Sequence, residues 1–341
     1  MNIVNRLSWF IHRKSNVKKI CEVNYLSEKQ AQEALQKYTD ATIWNTLREM
    51  QNEPDCAYLT RRLIPDVKEP TVRKTFDPKD IVRATILGDI IGSKYEFVEH
   101  DYERIKTIKL PAVSSRFTDD TVLSVATMNA ILKNPNNPDF ATEYKKAYKA
   151  HPHAGYGSSF VTWAMDDSAK HGYHSLANGS AMRVSFIPAY YENVEDVIKY
   201  TIMSAMTTHN HVEGVKGAVV ISVCIWMALH GYSKNEIWKY CKSHYHVVDK
   251  NLVLNKKYYF DINQPIDATP SRNTLFCSYI VPYVVKCFYG TNSYEECMRE
   301  LLSHFGDTDT LCAVAGGLCY AYYDTTGLDM KNILNQHSVN I

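Results

Sequence analysis

Two short runs of Thr and Asp carry the most evident chemistry in this chain. Thr118, Asp119, Asp120 and Thr121 stand directly before an apolar run at 122–132. Gly306, Asp307, Thr308, Asp309 and Thr310 stand directly before a second, at 311–323. Neighbouring carboxylates repel one another and resist burial, so each cluster needs something that offsets this cost. Two arrangements do so. Acids at the start of a helix cap its first free amides and meet the positive end of its dipole. Alternatively, the carboxylates share a hard cation, which takes oxygen ligands. Taken singly, each cluster is accounted for by capping. Taken together, the two supply four carboxylates and several hydroxyls, with no Cys and no His. Such an all-oxygen set suits Mg²⁺ or Mn²⁺ rather than zinc, and four carboxylates balance two divalent charges.

The elements that must position these residues read as helices. Apolar-periodic stretches follow one another at 81–94, 119–133, 157–170, 194–208, 211–231, 234–242, 274–289, 293–304 and 308–323. Strand alternation is scarce, with a short hairpin or irregular excursion at 251–261 as the exception. The fold class expected is therefore all-α, one compact multi-helix domain over 79–341 with its acidic clusters in a central cleft. Residues 1–78 differ in character. They are polar, with a capping-box start at Ser27 and Gln30 and a helix expected over about 28–50. Pro65, Pro70 and Pro78 then mark an extended linker.

Composition narrows the function classes. The 341 residues carry a formal net charge of +1, so no basic field marks the chain as a nucleic-acid binder. The longest apolar stretch, 217–229, is too short to cross a membrane. The nine cysteines form no CxxC pair and several sit among apolar residues, as buried thiols in a reducing compartment do. No secretory signal is read at the N-terminus, which makes the cytoplasm the expected location.

Further motifs fall in order between the clusters: Gly88-Asp89 with Gly92 and Glu96, Gly155-Tyr156-Gly157, Asn178-Gly179-Ser180-Ala181-Met182-Arg183, and Thr208-His209 with Gly217. With the two acidic clusters, this series over about 80–325 resembles the ADP-ribosylglycohydrolase family, which includes dinitrogenase-reductase-activating glycohydrolases and ADP-ribosyl-acceptor hydrolases. The resemblance implies an all-α fold with two Mg²⁺ ions, Mn²⁺ being an alternative. It implies Thr118, Asp119 and Asp120 as metal ligands from one side and Asp307, Asp309 and Thr310 from the other. Glu96 would sit over the distal ribose on a movable loop, and Glu96, Asp119 and Asp307 become the candidate catalytic acids and bases. Gly155, Tyr156, Gly157, Ser158, Ser175, Asn178, Gly179 and His209 would bind ADP-ribose. The implied activity is hydrolysis of the glycosidic bond between ADP-ribose and a modified protein, arginine being the first acceptor to consider. The sequence departs from the family pattern at Phe305 and Ala177, where glycine is frequent, and at Tyr320 and Asp324, where small residues are.

Plainer roles stand beside these. Glu96 alone reads as a surface acid after a helix. His209 is equally well a hydrogen-bonded core residue. Gly88 and Gly92 fit a close approach of two helices, and Arg183 is expected to be buried against an acid such as Asp89. Residues 1–78, outside the resemblance, are either a segment packed on the domain or a partner-binding arm. Relatives with such extensions that protect against ADP-ribosylating toxins make an ADP-ribosyltransferase toxin the candidate partner. Stoichiometric capture of a toxin, without catalysis, is the competing reading.

Overall fold

The computed structural model describes residues 73–98, 102–169, 171–245, 272–303, 305–339 and 341. The helix expected near 28–50, most of the linker before residue 73 and the excursion at 251–261 lie outside these residues. Among the described residues there are thirteen α-helices and no strand; a single antiparallel bridge joins Ala177 to Phe276. The expected all-α class holds.

The principal helices are α1 (Pro78–Gly92), α3 (Asp119–Lys133), α5 (Ser158–Met165), α8 (Val212–Leu229), α10 (Cys277–Gly290) and α12 (Thr308–Tyr323). Around them lie α2 (Tyr102–Ile105), α4 (Phe140–Ala150), α6 (Phe186–Tyr190), α7 (Val194–Met206), α9 (Lys234–His244), α11 (Tyr294–Leu302) and α13 (Met330–Gln336). Helix α8 is apolar along nearly its whole length, from Val215 to Leu229, and runs buried through the core. A helix without a polar stripe can only be stable when other helices surround it.

Helices α1 and α12 touch backbone to backbone. A Cβ on Gly88 would lie 2.1 Å from the Cys312 carbonyl oxygen, and one on Gly92 would lie 2.1 Å from that of Thr308. Contacts that climb α1 from 88 to 92 descend α12 from 312 to 308, so the two helices run antiparallel. The pairing expected from the i, i+4 glycines is therefore present, and it brings Asp89 of α1 beside the N-terminus of α12.

The start of the described chain is clamped on the other end of the molecule. Arg73 donates to the Ala189 carbonyl of α6, Lys74 Nζ to the Ala321 and Tyr322 carbonyls of α12, and the Lys74 amide to Leu229 O of α8. Cations at helix C-termini meet the negative dipole end and its free carbonyls. The seven described cysteines are all buried and unbridged, as their apolar settings suggest.

Candidate active site

Both Thr/Asp clusters sit at helix N-termini, and the two ends converge. Thr118 is the N-cap of α3: its hydroxyl accepts from the Asp120 amide. Asp119 and Asp120 occupy the first turn and do not cap. Asp307 is the N-cap position of α12, yet its side chain makes no capping bond. Asp309 Oδ1 accepts the Thr310 amide at 2.9 Å, but capping leaves the other three carboxylates unexplained. Thr310 Oγ1 donates across the gap to Asp120 Oδ2 at 3.1 Å, tying the two helix starts together.

Asp89 organises the first cluster. It is fully buried and accepts from the Thr118 amide and hydroxyl and from the Thr121 amide and hydroxyl. Four donors on one carboxylate fix the turn that aims Asp119 and Asp120. Burial nevertheless outweighs these bonds and raises the Asp89 carboxyl to about 6. Sequence reading left Asp89 as a partner for Arg183. The structure corrects this: Arg183 bonds to Ser204 O and Thr208 Oγ1 and stacks on Tyr144, with no carboxylate against it.

Asn178 does the corresponding work for the second cluster. Its Nδ2 donates to Asp307 Oδ2 at 2.7 Å and to Thr274 O at 3.0 Å. The Thr274 hydroxyl accepts from the Asp307 amide. The loop is pinned by Gly306, whose φ of +152° puts any Cβ 2.5 Å from Thr274 Oγ1. So the Asn178 side chain orients Asp307, a role that its motif did not announce. Thr274, Thr121 and Asp89 were not among the expected site residues. Asp89 and Thr121 do stand within sequence motifs, but their partners, like that of Thr274, lie tens of residues away, so no local pattern signals their duties.

Glu96 follows α1 and turns inward. Single carboxylate oxygens of Glu96, Asp307 and Asp309 all lie within 4.8 Å of one another. The next residue, Phe97, takes a left-handed φ of 50°, donates its amide to Gly306 O at 2.7 Å and sets its ring 6.0 Å from that of Phe305. A left-handed non-glycine residue at a functional loop is strain held by its surroundings.

The electrostatics are lopsided. Burial first, then mutual repulsion, raises the carboxyls of Asp119, Asp120 and Asp309 well above the usual range. Burial also raises Asp307, and raises Glu96 to about 7 with help from Asp309. Asp120 Oδ1 is buried with no hydrogen-bond partner. A buried acceptor without a donor is costly, and a cation is the complement that an all-carboxylate cluster can use. The donor set therefore fits hard divalent metal.

The expected ADP-ribose ligands fall on two sides of the acids. Gly155 has φ +107°, and a Cβ there would lie 3.5 Å from Asp119 Oδ1. The Ala154 carbonyl accepts from the Asp119 amide at 2.8 Å. Gly157 is the uncapped start of α5, leaving the amides after it and exposed Ser158 free to meet an anion. The Tyr156 ring packs against Tyr148 and Phe160, so this residue faces an aromatic cluster. Ser175 accepts from the Ala177 amide. Gly179 lies under the buried His209, whose Cε1 and Nε2 would stand 3.0 Å from a Cβ at that position.

The described domain is all-helical, with a cluster of buried acids that could hold a metal ion and glycines beside it. The sequence profile of the ADP-ribosylglycohydrolase family matches residues 80–336. The chain belongs to that family. It is 26% identical over 302 residues to ADP-ribosylhydrolase ARH3 of Homo sapiens, covering 70% of this chain and 83% of that protein. It is 23% identical over 287 residues to a protein of Acanthamoeba polyphaga mimivirus named as an ADP-ribosyl glycohydrolase, covering 73% and 87%. A solved chain from an ADP-ribosylglycohydrolase-related protein complex shares the fold, with a TM-score of 0.57 at 20% identity over 72% of this chain and 86% of that one.

Proposed function

We propose that this protein is a Mg²⁺-dependent hydrolase that removes ADP-ribose from a modified protein, with arginine as the first acceptor to test. The observation that carries this reading is the convergence of two helix starts whose carboxylates are buried, mutually repelling and, Asp309 apart, not consumed by capping. Thr118, Asp119 and Asp120 from one side and Asp307, Asp309 and Thr310 from the other would hold two divalent ions. When bound, such ions neutralise the acids, hold ribose hydroxyls and favour the developing charge.

The chain's own groups supply the rest. Cleavage of the C1–N or C1–O bond passes through an oxocarbenium-like state, with water adding to C1 and a proton going to the leaving group. Glu96 stands at the edge of the cluster and is half-buried, the position of a group that passes a proton between water and the leaving group. Asp119 and Asp307 orient the reacting water and ribose. The Gly155–Ser158 backbone, Ser175, Gly179 and His209 would bind the diphosphate and riboses, and Asn178 would hold Asp307 in line.

The acceptor is tested with matched substrates carrying ADP-ribose on arginine, on serine and on a nucleic-acid end. Release from arginine alone, abolished by EDTA, supports the reading. Release only from another acceptor would replace arginine; release from none would bring forward toxin capture without catalysis. We also propose a role in immunity to an ADP-ribosylating toxin, through a partner-binding arm in residues 1–78, which lie outside the matched stretch 80–336.

A further inference from the structure

Arg183 is the largest fully buried side chain among the described residues, and none of them offers it a carboxylate. Its guanidinium lies 4.1 Å over the Tyr144 ring. One terminal nitrogen donates to Ser204 O at 3.0 Å and to Thr208 Oγ1 at 2.7 Å. The other, and Nε, have no partner. A guanidinium has donors only, so the Thr208 hydroxyl must accept from it. The hydroxyl proton must then point elsewhere, and the acceptor within reach is His209 Nδ1, 2.7 Å away. Nδ1 therefore accepts. Burial, and next the positive field of Arg183, keep the ring neutral by holding its pKa well below 6.5. The single ring proton is left on Nε2. That edge of the ring faces Gly179, where the missing Cβ leaves it uncovered.

We propose that Arg183 and Thr208 are positioning residues that fix His209 as a permanent Nε2–H donor to an anionic oxygen of the ADP-ribosyl group. The chain of donors runs from Arg183 to Thr208, from Thr208 to His209, and from His209 to the ligand. Each donor polarises the next, and the cation at its head has no acid to cancel it. This explains a buried arginine with no salt bridge among the described residues. The His209 side adds an attraction for a diphosphate to that of the ions the acids would hold. The identity of the acceptor rests on the proposed function; the proton arrangement does not.

The test uses the full chain labelled with ¹⁵N-histidine. Wild-type His209 is expected as the Nε2–H tautomer at neutral pH, with and without ADP-ribose and Mg²⁺. Thr208→Val keeps the shape and removes the relay. It is expected to weaken ADP-ribose binding by about tenfold, the loss of one charge-assisted donor, and Thr208→Ser to restore it. A wild-type Nδ1–H tautomer, or a Thr208→Val variant that binds ADP-ribose as tightly as wild type, overturns the proposal. Should Thr208→Val not fold, the wild-type tautomer still decides. A wild type with the expected tautomer that fails to bind ADP-ribose rejects the proposed function and the ligand half of this inference, and leaves the proton relay standing.

Discussion

At the scale of single residues, the site depends on carboxylates that do not touch the reaction. Asp89 accepts four bonds and is fully buried. Replacing it with Asn turns a donor toward donors, which is expected to cost on the order of 2–3 kcal/mol. Urea unfolding checks the stability loss, and a Mn²⁺ titration checks the accompanying fall in metal affinity. The raised carboxyls also set a pH dependence. Glu96 at about 7 and Asp89 at about 6 lie above the ordinary values of 4.5 and 3.8. Between pH 4 and 7 the folded, metal-free protein thus binds more protons than the unfolded chain, so its stability falls as pH rises. With saturating Mg²⁺ the cation takes the protons' place, and this fall should vanish or reverse. Melting temperatures at pH 5 and 7.5, with EDTA and with Mg²⁺, read both. Equal melting temperatures in EDTA would show that these carboxyls are not strained.

At the scale of elements, the cleft exists because two helices are allowed to touch. Gly88→Ala pushes a methyl against the Cys312 carbonyl at a nominal 2.1 Å, so α1 must move off α12. Overpacking of this kind costs roughly 1–3 kcal/mol. Here it should also lower divalent-cation affinity, because Asp89 and Asp309 move apart. A variant as stable as wild type, with unchanged affinity, contradicts the packing argument. Nine helices were legible as apolar runs, with ends mostly within a few residues of those observed. Helix α4 was not, since it buries only Phe140, Glu143 and Tyr144 and leaves Lys146 and Lys149 exposed. The Thr/Asp clusters could be read because each is local and sits at a helix start. The duties of Asp89 and Asn178 could not, because their partners lie 29 or more and 96 or more residues away. Arg183 was expected beside Asp89 because a buried cation calls for an acid; the Tyr144 ring, the Ser204 carbonyl and the Thr208 hydroxyl took that place. The departures from the family pattern also gain reasons. Asp324 takes the left-handed C-cap of α12 with φ 61°, which acidic side chains tolerate better than most, and Phe305 backs the ring of Phe97.

At the scale of the whole molecule, the clamp and the cleft lie at opposite ends of α12. Asp307 and Ala321 are separated by about 20 Å along the helix at 1.5 Å per residue. Arg73 and Lys74 therefore sit far from the acids. Lys74→Ala removes a cation from two C-terminal carbonyls and should cost about 1 kcal/mol, measured as a lowered melting temperature, while leaving the metal site intact. The partner-binding arm proposed for residues 1–78 lies mostly outside the described residues. A pull-down with and without residues 1–78 tests it, and identical partner sets would refute the arm.

The central claim is that the two converging helix starts hold the divalent cations on which ADP-ribosyl hydrolysis depends. The direct measurement is release of free ADP-ribose from an arginine-ADP-ribosylated protein, with Mg²⁺ and with EDTA, for wild type and for Asp307→Ala. The account predicts release that needs Mg²⁺ and is lost in the variant. Release that persists in EDTA, or in a folded Asp307→Ala protein, would contradict it.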